Sequence, residues 1–160
     1  MPRSTDEFWT LLADMTACMV TTRDGDVLRS RPMAPYVDTE KRTIRFLTDR
    51  ASSKVFEVKA EQDINLSFAD QSKMIFASVS ATASLLHDEA LIDDMWGPYA
   101  KVFFGEREDA DVVVIDVKPT QAELWDNDKN MVAMALEMGR AYFSEDGPDL
   151  GENQKMSMVR

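Results

Sequence analysis

The sequence predicts a mainly β fold: an antiparallel barrel of about six or seven strands with peripheral helices. Two observations carry the prediction. Between Thr16 and Trp125 most segments are short, alternate apolar with polar residues and are rich in β-branched and aromatic side chains, the pattern of half-buried strands. Helical spacing is confined to connections and ends, so the alternation of strand and helix that builds a parallel sheet is missing. A chain of 160 residues, 44% of them hydrophobic, forms one domain with a core of its own.

Each element follows from local chemistry. Ser4-Thr5-Asp6-Glu7 has the form of a capping box, and Phe8, Leu11, Leu12 and Met15 follow at helical spacing, so a short amphipathic helix covers about residues 5–14. Thr16 to Thr22 is a strand by composition, Asp24-Gly25 is a hairpin turn, and a second extended run goes from Val27 to Val37. After a polar turn from Asp38 to Lys41, Thr43 to Thr48 is a third strand with Ile44, Phe46 and Thr48 on one face. Ser52 can cap a short helix ending near Ala60, with Val55, Phe56 and Lys59 on the side that packs on the sheet. Ile64, Leu66 and Phe68 alternate with polar neighbours, and beyond the turn Asp70 to Lys73 a long strand from Met74 to about Leu86 completes a meander.

Asp88 to Phe104 is helical in pattern, with Gly97-Pro98 as a corner between two short helices. Val112 to Val117 is the most strongly β segment; Pro119 ends it or marks an edge, and Ala122 to Trp125 extends beyond. Met131, Met134, Ala135, Met138 and Tyr142 form the apolar stripe of a closing helix. The domain therefore covers residues 1–143, and the polar segment 144–160, with Gly147-Pro148 and Gly151, reads as a disordered tail.

Composition excludes several functions. A net charge of −11 repels nucleic acids, so no nucleic-acid partner is expected, and any anion site must be built locally. One cysteine, Cys18, and one histidine, His87, leave no material for a disulfide framework or a clustered metal site. Cys18 reads as a small buried hydrophobe and His87 as an ordinary strand-end residue. No apolar run approaches the roughly 20 residues of a membrane span, and acidic residues stand where a signal peptide would be apolar, so the expected location is the cytoplasm. Asp93 and Asp94 are helix neighbours that do not face each other, and no catalytic residue can be named.

The informative feature is a set of anion-binding groups in this acidic chain. Arg29 and Arg31 are two apart on one strand, and Thr48 is followed by Ser52-Ser53-Lys54 at a helix start. There, free backbone N–H groups and the helix dipole favour a phosphate, and Lys54 adds a full charge. A solvated polar turn with two surface arginines would give the same spacing.

Four ordered motifs carry a family resemblance. Arg31-Pro32-Met33, Phe46-Leu47-Thr48 and Ser52-Ser53-Lys54 resemble the flavin-binding pattern of the pyridoxamine 5′-phosphate oxidase-like FMN-binding split barrels. The run from Trp96 to Phe104, with Val112 to Val117 and Glu123-Leu124-Trp125-Asp126, is similar to the general stress protein 26 branch. The resemblance implies FMN as cofactor, with Arg31 at the phosphate or pyrimidine edge, Thr48 near the ribityl chain, and Ser52, Ser53 and Lys54 on the phosphate. Met33 and Leu47 would touch the ring. It also implies a homodimer with FMN at the interface, to which Trp125 is contributed from the partner chain.

The reading that follows is a flavin-dependent oxidoreductase exchanging electrons with a small-molecule donor or acceptor. A non-catalytic flavin-binding or storage module, or a split barrel holding haem or deazaflavin, remains open. True pyridoxamine phosphate oxidases carry an Arg-x-His element after the tryptophan; here Trp125 is followed by Asp126-Asn127-Asp128-Lys129-Asn130, so vitamin B6 oxidation is not carried over.

Overall fold

The capping box at the start of the chain forms as expected. The Glu7 backbone N–H donates to Ser4 Oγ at 3.2 Å, and the Ser4 N–H donates to Glu7 Oε2 at 2.7 Å. It opens α1 (Thr5–Asp14), whose Phe8, Trp9 and Leu12 are buried. The computed structural model describes residues 3–126, 138, 140 and 152–158. The chain continues through β1 (Cys18–Asp24), β2 (Val27–Met33), β3 (Tyr36–Asp38), β4 (Thr43–Asp49), α2 (Ser53–Ala60), β5 (Asp63–Asp70) and β6 (Ile75–Leu86). Then come α3 (Glu89–Met95), α4 (Pro98–Phe104), a 3-10 turn (Arg107–Asp109), β7 (Val112–Asp126) and β8 (Glu152–Ser157).

The strands form one antiparallel sheet in the order β2-β1-β5-β6-β7-β4-β3, with β8 added on β7. The expected barrel does not close. The path ends at β2 on one side and β3 on the other, with no ladder between them. The single run expected from Val27 to Val37 instead splits at Ala34-Pro35: its first part pairs with β1 and its second with β4. Both parts run in the same chain direction, so they cannot pair antiparallel with each other, and Pro35 has no N–H to offer a ladder. The two sheet ends are tied covalently through residues 34 and 35 and not by hydrogen bonds. Among the described residues the strand count is eight, against the expected six or seven.

Gly25 in the β1–β2 turn has φ of +59°, the left-handed conformation that glycine adopts without cost. Pro119 does not end the seventh strand but sits where, among the described residues, its other edge has no ladder partner, between the β4 and β8 pairings. Ser80 faces Gln121 while Ala81 faces Pro119, so Thr120 is an extra residue forming a bulge. On its other side β7 pairs with β4 before the bulge and with β8 after it. The disorder expected of the tail does not extend to residues 152–157, which are β8; Met156 and Met158 pack against the core. Most of the stripe assigned to a closing helix lies outside the described residues; Met138 is helical and exposed.

Two apolar clusters result. The larger joins Phe8, Trp9 and Leu12 of α1 to inward residues of the sheet, among them Val20, Phe46, Leu66, Val79 and Leu124. The smaller packs Ile92 and Met95 of α3 and Ala100 of α4 on Leu47, Val112 and Val114, on the other face of β4 and β7. α4 is thereby fixed over β4 and β7, where it forms one wall of the site. Among the described residues no helix is long and apolar enough to cross a membrane.

Candidate functional site

β4 ends in Leu47-Thr48-Asp49, and three residues later α2 begins. Ser52 stands at the N-cap but makes no side-chain cap bond. Its hydroxyl lies 3.1 Å from Thr48 Oγ1 instead, leaving the helix start to face a cleft of about 390 Å³. Thr48, Asp49, Ser52 and Lys54 line its polar end. Pro32, Met33, Ala34 and Tyr36, flanking and including the tie between the sheet ends, form one wall. Tyr99, Ala100, Phe103 and Phe104 of α4 form the other. Tyr99 and Phe103 are four apart on one helix face, with ring centroids 4.7 Å apart. They are 54% and 62% exposed, an aromatic surface that the core does not use.

Burial pushes the Lys54 ammonium below its ordinary pKa, and the Arg31 charge adds to this, while Glu57 and Asp49 oppose it. An amine so placed gains from an anion that restores the lost solvation. Burial raises the Tyr36 phenol, with the Tyr99 phenol nearby contributing, so Tyr36 keeps its proton at neutral pH.

Of the residues expected at the site, Met33, Leu47, Thr48, Ser52 and Lys54 meet in this cleft. Arg29, Arg31, Ser53 and Trp125 are not part of its lining. Ser53 is exposed beside it. Arg29 and Arg31 share a face, as their spacing requires, but both turn to the Glu57 carboxylate: Arg31 Nη2 lies 2.8 Å and Arg29 Nη1 3.5 Å from Oε1. Trp125 is 39% exposed near the end of β7, opposite Phe76 of β6 and Asn153 of β8.

The face expected of α2 also needs correction. Val55 is buried as expected, but Phe56 is 62% exposed and Lys59 is exposed, whereas Glu57 and Val58 are buried. Glu57 is 5% exposed, and its second oxygen accepts a bond from the Thr22 hydroxyl, itself the acceptor for Arg31 Nη1 at 2.6 Å. Sequence reasoning passed over Glu57, Tyr36, Tyr99 and Phe103. For Tyr99 and Phe103 a signal existed in their i, i+4 spacing just after Gly97-Pro98.

Comparison with known proteins bears on this geometry. Residues 3–149 match the sequence family described as pyridoxamine 5′-phosphate oxidase like. The chain belongs to that family. It is 34% identical over 139 residues to Protein bli-3 of Neurospora crassa, covering 79% of this chain and 66% of that protein, so it spans just under two thirds of that relative's length. Among solved structures it resembles a protein described as a general stress protein 26 from Jannaschia sp. CCS1, with a TM-score of 0.74, 25% identity and 96% of each chain covered. It also shares its fold with the general stress FMN/FAD binding protein of Xanthomonas citri, at a TM-score of 0.70 and 20% identity over 79% of this chain and 91% of that one. This family member thus has the general-stress type of fold.

Proposed function

We infer that the cleft binds FMN and that the chain works as a flavin-dependent oxidoreductase of the general-stress type. One observation carries the reading: a single cleft joins a polar end at a helix start, with a half-buried lysine, to a long aromatic wall. Its volume, about 390 Å³, lies within the usual range of small-molecule sites, roughly 300–1,000 Å³. The Xanthomonas citri relative described as FMN/FAD binding supports the choice of ligand.

On this reading Ser52 and Lys54 hold the phosphate, Ser53 borders it, and Arg29 and Arg31 contribute charge from beside it. Thr48 serves the ribityl chain, while Met33, Leu47, Tyr36 and the α4 aromatics flank the ring. When bound, the flavin supplies reversible electron chemistry. The chain's own residues bind, orient and shield it, and Tyr36 offers a protonated hydroxyl at the wall. Trp125 is outside the cleft of its own chain, so it meets a flavin only from a second copy, in a two-fold dimer. A cytoplasmic location with a small donor such as a reduced nicotinamide completes the reading.

The test compares FMN with riboflavin, which lacks only the phosphate. Lys54→Ala should weaken FMN at least tenfold, the order of one charge-assisted hydrogen bond of about 1.5–3 kcal/mol, and leave riboflavin nearly unchanged in fluorescence quenching. Equal losses would remove Lys54 from the phosphate. Sedimentation of wild type and Trp125→Ala with FMN checks the shared site, since a monomer binding FMN with full affinity would defeat it. Anaerobic NADH or NADPH should bleach bound FMN faster than free FMN; failure to do so would leave a storage module. A haem or deazaflavin spectrum in purified protein would replace the ligand.

A further inference from the structure

The most completely built polar feature is not in the cleft but directly behind its cationic end. Glu57 lies three residues after Lys54 on α2, so the two share a helix face. Its carboxylate is 5% exposed and is gripped by the Thr22 hydroxyl and the Arg31 guanidinium, with Arg29 3.5 Å away. Two arginines of β2 thus converge on one buried anion beside Lys54, with Arg29 also 3.1 Å from the exposed Asp24 carboxylate. A buried carboxylate persists only when paired, and clustered cations need a counter-charge. Glu57 supplies it to Arg31 and, with Asp24, to Arg29.

We propose that Glu57 is an internal stand-in for the ligand's phosphate: it keeps the cation cluster compatible with the folded, flavin-free chain and limits how tightly phosphate-bearing flavins bind. The proposal rests on the phosphate occupying the Lys54 end. Once a phosphate dianion is there, Glu57 is a like charge behind it, so the same group that stabilises the empty site weakens the filled one. Glu57 is then an affinity-setting residue that touches no ligand.

The signs are opposite to those of a merely structural acid. Glu57→Gln keeps shape and hydrogen-bonding capacity but removes the charge. Its flavin-free form should melt lower than wild type. Its ratio of FMN to riboflavin affinity should rise by roughly tenfold, the order for removing a nearby like charge at a protein-like dielectric. Glu57→Asp, which retains charge, should hold the wild-type ratio. Tight-binding fluorescence titration with both ligands reads the ratio, and thermal unfolding with and without FMN reads the stability. A ratio that is unchanged or lower in Glu57→Gln overturns the proposal, because a positioning role alone would weaken both ligands or FMN more. If Glu57→Gln does not fold unaided, recovery of soluble protein by FMN but not riboflavin supports the proposal, and recovery by neither overturns it. A wild-type chain that fails to prefer FMN over riboflavin removes the phosphate site itself. A preference abolished by Lys54→Ala yet unmoved by Glu57→Gln removes Glu57 alone.

Discussion

Thr22→Val isolates the hydroxyl that joins Arg31 to Glu57. Thr22 is 1% exposed, and valine fills the same space, so the substitution opens no cavity. What it removes is one acceptor for Arg31 Nη1, at 2.6 Å, and one donor to Glu57 Oε2. Hydrogen bonds to charged groups contribute about 1.5–3 kcal/mol each. The two share an atom and are not independent, and Arg31 still holds Glu57 at 2.8 Å, so the expected loss is about 2–4 kcal/mol. For a chain of this size that lowers the thermal midpoint by roughly 5–15 °C. The control is Thr21→Val. Its hydroxyl bonds Ser30 Oγ at 3.1 Å on the exposed face, where a change stays within about 0.5 kcal/mol. Urea unfolding followed by circular dichroism, with both variants at one protein concentration, measures the difference. If Thr22→Val costs no more than Thr21→Val, the hydroxyl does not support the Arg31–Glu57 network.

Ending the chain at residue 151 removes β8 and with it Met156 and Met158 from the core; the urea midpoint should fall by the equivalent of roughly 2–4 kcal/mol, and an unchanged midpoint would make this segment dispensable. Replacing Tyr99 and Phe103 with Ala should weaken FMN and riboflavin alike by about tenfold, since stacking contributes about 1–3 kcal/mol and does not involve the phosphate. An effect confined to FMN would place the ring elsewhere. Acid should also separate wild type from Glu57→Gln. Burial alone would raise the Glu57 carboxyl, but the Thr22 and Arg31 bonds outweigh it and hold it below the ordinary value of about 4.3. A lowered carboxyl contributes stability above its unfolded pKa and loses it as pH falls through the folded one, so wild type should lose more stability than Glu57→Gln on acidification below about pH 5.

Local signals located the elements well because each has its own cause: the capping box at Ser4, the Asp24-Gly25 turn, the Gly97-Pro98 corner. The closure of the sheet had no such signal. Whether the run from Val27 to Val37 pairs as one strand or two depends on partners far along the chain, and Pro35 alone does not choose. β8 was missed because Asn153, Gln154 and Lys155 read as tail; its pairing comes from the edge that β7 exposes after its bulge. At the site, the polar end was legible from Thr48, Ser52 and Lys54, where charge and helix start coincide. Arg31 was legible as a residue but not in its orientation, because Glu57, the acid that turns it, looks on the sequence like any solvent-facing charge of a short helix. The aromatic wall was legible only in part: i, i+4 spacing puts Tyr99 and Phe103 on one face of α4, but packing on the sheet decides which face stays exposed.

The unpaired seam between β2 and β3 has a consequence for how this fold can change. Pro32, Met33, Ala34 and Tyr36 line the cleft, so its width depends on the two linking residues as well as on Met33, which also packs against the large core. Each residue inserted at Ala34-Pro35 lets the sheet edges move apart by up to about 3.3–3.6 Å. No strand register need shift, because each side of the tie is fixed by its own ladder with β1 or β4. Length variation at this one position can resize the ligand space in steps while both ladders keep their register.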